Sequence, residues 1–224
     1  MKFLSLSLFV FVLLASCRQD VKKVGPYFTY LHHHDEYRVT RAHLNTQRGQ
    51  GGKVESQVSE ATDRLILFVE EMEQALLDSA EQADPRLDPS SRAPDLEKLL
   101  DNRIASSFLI GDQPAKPVST PFSAYTLNQR LQDHKRLLHE LTGIGPEFFD
   151  GMLHTGSLRA SHNSNLENWE TAKFWNMSLL HALDELTLIK SNLLRTEFSL
   201  IQMELNDPLD PEDRAEHAAG PAGG

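Results

Sequence analysis

A single cysteine, Cys17, stands in 224 residues, so no intramolecular disulfide can form. No apolar run reaches the ~20 residues that a helix needs to cross ~30 Å of hydrocarbon. The stretch from Phe3 to Leu14 has twelve, which argues against a permanent transmembrane helix. Clustered basic residues are missing too. Acidic side chains number 32 against 22 basic, a formal charge of −10, which disfavours nucleic acid as a partner and a polybasic grip on anionic lipid. Gly49-Gln50-Gly51-Gly52 neither follows a strand pattern nor leads to a Lys-Ser/Thr pair, so no phosphate cradle is expected. Ser106 and Ser107 lack the glycines of a nucleophile elbow. Asp184-Glu185 and Glu70-Glu71 are adjacent pairs whose side chains diverge by about 100° on a helix, so neither could flank a scissile bond. These absences predict no catalytic residues and no cofactor.

What is present begins at the N-terminus. Lys2 supplies a positive start, Phe3 to Leu14 an apolar stretch, and Leu14-Ala15-Ser16-Cys17 matches a lipobox. The expected product is a chain cut before Cys17. Its thiol would carry a diacylglycerol thioether, and its freed amine a further acyl chain. One chain binds membranes marginally, whereas two or more anchor stably. Lipidation would also account for a lone thiol outside the cytoplasm. Membrane contact is then expected through the acyl chains alone, in the cell envelope facing the periplasm. Arg18, where an inner-membrane retention signal would have aspartate, favours the outer membrane.

Four segments follow from the patterning: a signal peptide over 1–16, a lipid-anchored tether with some helical tendency over 17–57, a helical domain over 58–206, and a disordered tail over 207–224. The tether contains a polar, glycine-rich stretch at 45–52, while Tyr27, Phe28, Tyr30 and Leu31 are apolar enough to dock on the domain. In the domain, Ala61, Leu65, Phe68, Met72 and Leu76 form a helical stripe stopped by Asp84-Pro85. A helical turn or two spans 95–101, and Ile104 to Ile110 reads as an extended piece ending at Gly111. Leu127, Leu131, His134, Leu138 and Leu141 mark a second long helix closed by Gly143 and Gly145, and Pro146 opens a short one to Leu153. The longest pattern runs from Asn168 to Leu205, preceded by a capping-box arrangement at Ser164 to Glu167. It carries one stripe of Ala182, Leu186, Ile189, Leu193 and Leu200 and another of Leu194, Phe198, Ile201 and Leu205, and it contains no proline or glycine. The expected fold class is all-α: a helical bundle with three long helices plus short ones, and no internal repeat.

Several side chains invite a chemical reading. His32, His33 and His34 with Asp35 and His43 could offer nitrogens to a transition metal. Consecutive residues point in different directions, however, and no patterned carboxylate or cysteine completes a shell, so no metal site is expected. His134 lies on a core stripe and is expected as a hydrogen-bonded core or helix-interface residue; His181 flanks the stripe of the last helix and carries the same expectation, and His139 lies on another face from His134. Glu197 reads as a solvated position or as a buried carboxylate paired with Arg195 or with a residue across an interface. Trp169, Phe174 and Trp175 read as core packing at the start of the last helix or as an exposed partner patch.

The last helix also resembles a known family. Trp169, Phe174, Asn176, Met177, the run Leu183 to Leu186, Ile189, Lys190, Glu197, Glu204 and Leu205 are similar to the segment closing the first periplasmic domain of the gliding-motility protein GldM and its relative PorM. Upstream, Leu65 to Leu77, Phe108 to Gly111 and Leu127 to Leu141 follow in matching order, so the resemblance covers about residues 58–206. It implies a helical, self-pairing periplasmic domain of the type IX secretion and gliding machinery and a structural importance for Glu197; with the aromatic patch read above, Trp169, Phe174, Trp175 and Glu197 are the candidate interaction residues. The chain departs from that family in having a lipobox where the family has a membrane-spanning helix, and in ending where further β-domains would begin. The expected function is a non-enzymatic, lipid-anchored envelope protein whose helical domain associates with itself or with secretion or gliding proteins. The alternative is a bundle that senses or binds a small molecule between its long helices. A metal-dependent enzyme is the third reading.

Overall fold

The computed structural model describes residues 2–49, 52–84, 89, 95–101, 103–155 and 168–206, with side chains from Val24 to Met203. The cap expected at 164–167, the tail expected from 207, and the side chains of Cys17 and Leu205 lie outside that description. Among the described residues every regular element is a helix: α1 (Lys2–Gln47), α2 (Lys53–Ala83), α3 (Leu96–Leu99), α4 (Arg103–Leu109), α5 (Ala124–Thr142), α6 (Pro146–Leu153), α7 (Trp169–Phe174) and α8 (Leu179–Asn206). No helix among them is long and apolar enough to cross a membrane.

The three long helices expected from periodicity are α2, α5 and α8, and their stripes form the core. Ala61, Leu65, Phe68, Met72 and Leu76 of α2 are buried, as are Leu127, Leu131, His134 and Leu138 of α5. Both stripes of α8 are covered, from Ala182 to Leu200 on one side and through Leu194 and Ile201 on the other. A helix sheds that much apolar area only when more than one neighbour flanks it, and α8 packs on α1, α2, α4 and α6. Paired residues give the directions. Phe68 stacks on Phe122 and lies under Arg130, and Val58 clusters with Leu138, so α5 runs antiparallel to α2. A smaller apolar cluster of Val58, Leu138, Phe149 and Leu200 closes that end of the bundle.

Local chemistry sets the helix ends. Asp84, before Pro85, is the C-cap of α2. The Asp95 carboxylate accepts the Lys98 N–H at the start of α3, and Ser123 Oγ accepts the Thr126 N–H at the start of α5. Gly143, at φ 70°, takes the left-handed conformation that ends α5 without a Cβ penalty. Pro146 occupies the first turn of α6, where its missing N–H is no loss.

Three expectations need correction. Ile104 to Ile110 is not extended: residues 103–109 form α4, because Ile104, Ala105, Phe108 and Leu109 recur at helical spacing and the Asp101 carboxylate accepts the Arg103 N–H at 2.9 Å. The helix expected from Asn168 to Leu205 is two, α7 and α8. Between them Asn176 adopts φ 59°, and Ser178 Oγ accepts the His181 N–H as a fresh cap. The segment expected as a tether is regular for most of its length. Residues 2–47 are one helix, α1, and its part from Tyr27 onward packs chiefly on α8. Tyr37 and Leu44 are its fully buried apolar anchors.

Candidate functional site

The polar chemistry of the chain converges on the seam where α1 meets α2 and α8. Ionic partners along it show the arrangement: His33 reaches Asp184 and Arg48 reaches Glu197, so α1 and α8 run parallel, while Arg41 reaches Glu70 and Arg48 reaches Asp63, so α1 and α2 run antiparallel.

At the lower end sits Arg48, one residue past the last turn of α1. Its Nε and Nη2 donate to the two oxygens of Glu197 at 2.8 Å each, and its Nη1 and Nη2 donate to Asp63 at 2.7 and 2.9 Å. Ser59 Oγ donates to Glu197 Oε1 at 2.6 Å. The Glu197 side chain is 0% exposed, against 43% for Asp63. A planar guanidinium is the side chain that can fork onto two carboxylates at once. The hydrogen bonds Arg48 donates to Glu197 and Asp63, with the two opposing charges, outweigh burial and hold the Arg48 pKa above its ordinary value. Glu197 is thus a buried carboxylate, but Arg195 is not its partner: Arg195 points outward and pairs with Glu36 across α1.

Midway along the seam, Tyr37 Oη donates to Glu70 Oε1 at 2.9 Å, and Arg41 Nη1 donates to both Tyr37 Oη and Glu70. Burial, followed by the Glu70 carboxylate, pushes the Tyr37 phenol well above its usual value. Beneath the Tyr37 ring lies the Lys190 ammonium, 4.7 Å from its centroid and bonded to Glu73 Oε2 at 2.5 Å. Lys190 is 2% exposed. Burial raises the Glu73 pKa, with Lys190 opposing the shift, and Glu73 Oε1 has no partner among the described residues. His34 stands at the same place, and burial together with the Lys190 charge lowers its pKa. These groups border a cleft of about 590 Å³, within the size range of small-molecule sites.

The other expected residues are placed as follows. His33 Nδ1 bonds Asp184 Oδ1 at 2.7 Å, while Glu185 turns away to Lys173, the divergence expected of adjacent carboxylates. No group of three metal-ligating side chains occurs among the described residues. His134 is buried on α5 as expected of a core residue, but its Nε2 has no hydrogen-bond partner among the described residues. Burial lowers its pKa to about 4. His181 is exposed rather than part of a helix interface, and its Nδ1 lies 2.8 Å from Ser178 Oγ. His139 is exposed, with Nδ1 2.7 Å from the Ile144 carbonyl. Trp169 and Phe174 are buried and pack edge to face, with Trp169 Nε1 donating to the His154 carbonyl. Trp175 is half-buried against the same core. The aromatic trio therefore serves intramolecular packing and not an exposed patch.

Tyr37, Arg41, Arg48 and Glu73 do not stand out in the sequence, and Lys190 does so only as part of the family resemblance. Two signals pointed at them. Lys190 interrupts an apolar stripe directly after Ile189, where a charge needs a buried partner, and Tyr30, Tyr37, Arg41, Leu44 and Arg48 fall on one helical face of α1 at steps of three, four and seven. The chain matches no family model, no curated protein and no solved structure.

Proposed function

We propose that the chain is a non-enzymatic, lipid-anchored protein of the cell envelope whose helical domain pairs with itself or with other envelope proteins, as an accessory of type IX secretion or gliding motility. The acyl chains sit on Cys17, and the anchored face looks into the periplasm from the outer membrane. The observation that carries the reading is the position of Cys17 within α1: a lipobox cysteine lies on the same helix whose part from Tyr27 onward packs on the bundle. A lipid there would be joined to the bundle through a helix, at about 1.5 Å per residue, and not through a flexible linker. The ordered resemblance over residues 58–206 supports the secretion and gliding assignment.

Intact-mass analysis of the protein from its native membrane, together with crosslinking in cells, tests the proposal. The expected results are a diacylglyceryl adduct at a mature N-terminal Cys17 and recovery of a second copy or of secretion components. An unmodified cysteine, or a mature start elsewhere, refutes the anchor. Crosslinks to neither class of partner refute the docking role. A bundle that takes a small molecule is the second reading, and the cleft between α1, α2 and α8 favours it.

A further inference from the structure

The cleft on the α1 seam has walls of opposite character. From α1, Arg38, Arg41 and Asn45 face it at helical spacing, and from α2, Glu70, Glu73 and Gln74. The protein itself leaves much of their hydrogen-bonding capacity unused. Arg41 engages Tyr37 and Glu70 through Nη1 alone, so Nη2 and Nε have no partner among the described residues. Arg38 approaches Asp35 only to 3.7 Å, beyond hydrogen-bond reach, and its side chain is 70% exposed. Asn45 accepts from Arg48 through Oδ1, which leaves its amide N–H groups available. On the facing wall Glu70 receives both of its bonds on Oε1, so Oε2 is open, and behind it the enclosed Glu73 Oε1 has no partner among the described residues.

Donors and positive charge thus face the cleft from α1, and acceptors and negative charge from α2, while the Lys190 ammonium of α8 is engaged by Glu73 Oε2. Because α2 runs antiparallel to α1, Tyr30 lies toward Leu77, and Leu183 of α8 comes in at that same end. The cleft is dipolar at the Arg41–Glu70 end and largely apolar at the Tyr30–Leu77–Leu183 end, where the His34 ring lies beside Tyr30. A simple anion would meet only the α1 wall and leave Glu70 facing it, and a simple cation would have the converse fault. A molecule carrying both charges on an apolar body satisfies both walls and the far end.

We propose that this cleft binds a small zwitterion with an apolar body, a free α-amino acid or a short peptide. Its carboxylate lies on Arg38, Arg41 and Asn45, its ammonium on Glu70, and its side chain toward Leu77 and Leu183. This rests on the second reading, a bundle that takes a small molecule, and is independent of the lipid at Cys17.

Titration calorimetry of the full-length protein in detergent tests it with four probes: L-leucine, the dipeptide Leu-Leu, 3-methylbutylamine and 4-methylpentanoate. The last two keep the apolar body and one charge each. The expected result is saturable binding of leucine or Leu-Leu, with both single-charge analogues at least tenfold weaker. Tighter binding of Leu-Leu assigns a peptide, and tighter binding of leucine a free amino acid. Arg38→Gln and Asn45→Leu change exposed side chains and should each weaken binding severalfold while leaving the circular dichroism spectrum unchanged. Ala42→Trp, on an exposed cleft-lining position, should abolish it. Absence of heat with leucine and Leu-Leu overturns the proposal, as does equal affinity for a single-charge analogue. Mass spectrometry of small molecules released from the purified protein separates the two levels of failure. A stoichiometric ligand lacking the ammonium–carboxylate pair overturns the zwitterion and keeps the binding reading, whereas no released molecule and no heat removes both.

Discussion

Replacing Arg48 with methionine isolates the lower lock of the seam. Methionine keeps much of the aliphatic stem and removes the guanidinium, so Glu197, whose side chain is 0% exposed, stays buried with only the Ser59 hydroxyl. Breaking a buried pair from one side typically costs about 3–5 kcal/mol, because the remaining charge has lost both water and partner. Asp63 contributes little to that loss, since 43% of its side chain is exposed and water can replace Arg48 there. With an m-value of roughly 2 kcal/mol/M in urea, the midpoint should fall by about 1.5–2.5 M. Glu197→Leu in the same background removes the stranded carboxylate, and the double variant should recover most of the loss. Equilibrium unfolding in urea, followed by far-ultraviolet circular dichroism, reads all three proteins. A midpoint shift below about 0.5 M for Arg48→Met, or a double variant no better than the single one, would refute the claim that this pair is buried and coupled.

Further expectations concern α5, the α4–α5 connection and the α7–α8 break. His134 has a folded-state pKa of about 4 against an ordinary 6.5, so its contribution is fully present above 6.5 and is lost as the pH falls toward 4. The loss amounts to about 3 kcal/mol. His134→Leu should therefore lose less stability than the parent between pH 7.5 and 4.5, and parallel urea titrations that fall equally would count against burial of a neutral imidazole. Gly111 combines φ 85° with a Cβ position 2.5 Å from Val118 Cγ1. Gly111→Ala should cost about 2–4 kcal/mol, with part of that recovered by adding Val118→Ala; a thermal melt unchanged by Gly111→Ala contradicts this turn. Asn176→Val places a β-branched residue at φ 59° and should cost roughly 1–2 kcal/mol, whereas Asn176→Gly should be close to neutral. If valine were tolerated as well as glycine in a calorimetric scan, α7 and α8 would be one helix.

Periodicity was informative where burial is one-sided and apolar. The stripes of α2, α5 and α8 could be read because each places leucines, isoleucines or phenylalanines at steps of three and four. It was less informative at short elements. Seven residues of α4 make less than two turns, and an apolar run of that length fits a strand as well as a helix. The break before α8 carried a signal of another kind: Asn176 tolerates a left-handed backbone and Ser178 is a strong N-cap, so Asn176-Met177-Ser178 marks a stop and restart even without proline or glycine. Most of the seam was hidden because its partners are far apart in sequence. Arg48 and Glu197 are separated by 149 residues, so although Glu197 could be read as a buried carboxylate, nothing in the sequence names Arg48 as its partner. Only packing shows that Arg41 of α1 and Arg48 just beyond it stand opposite three carboxylates, Glu70, Asp63 and Glu197.

The character of the seam has a consequence for how α1 is held. Apolar burial alone is tolerant of sliding: Tyr37 and Leu44, the buried apolar side chains of α1 among the described residues, could find comparable contacts along the leucine-rich face of α8. Ion pairs are not tolerant. A shift of α1 by one turn, about 5.4 Å, would strand Glu197 without Arg48 and lift the Tyr37 ring off the Lys190 ammonium, each in a site with little water to compensate. Buried charge pairs add little net stability over apolar equivalents, and their best-attested use is to fix register. Here the register they fix is that of the helix leading back to Cys17, so they set where the bundle stands relative to the start of that helix. A further set of contacts, Tyr37 and Arg41 to Glu70, ties the two walls of the cleft between α1 and α2 to each other.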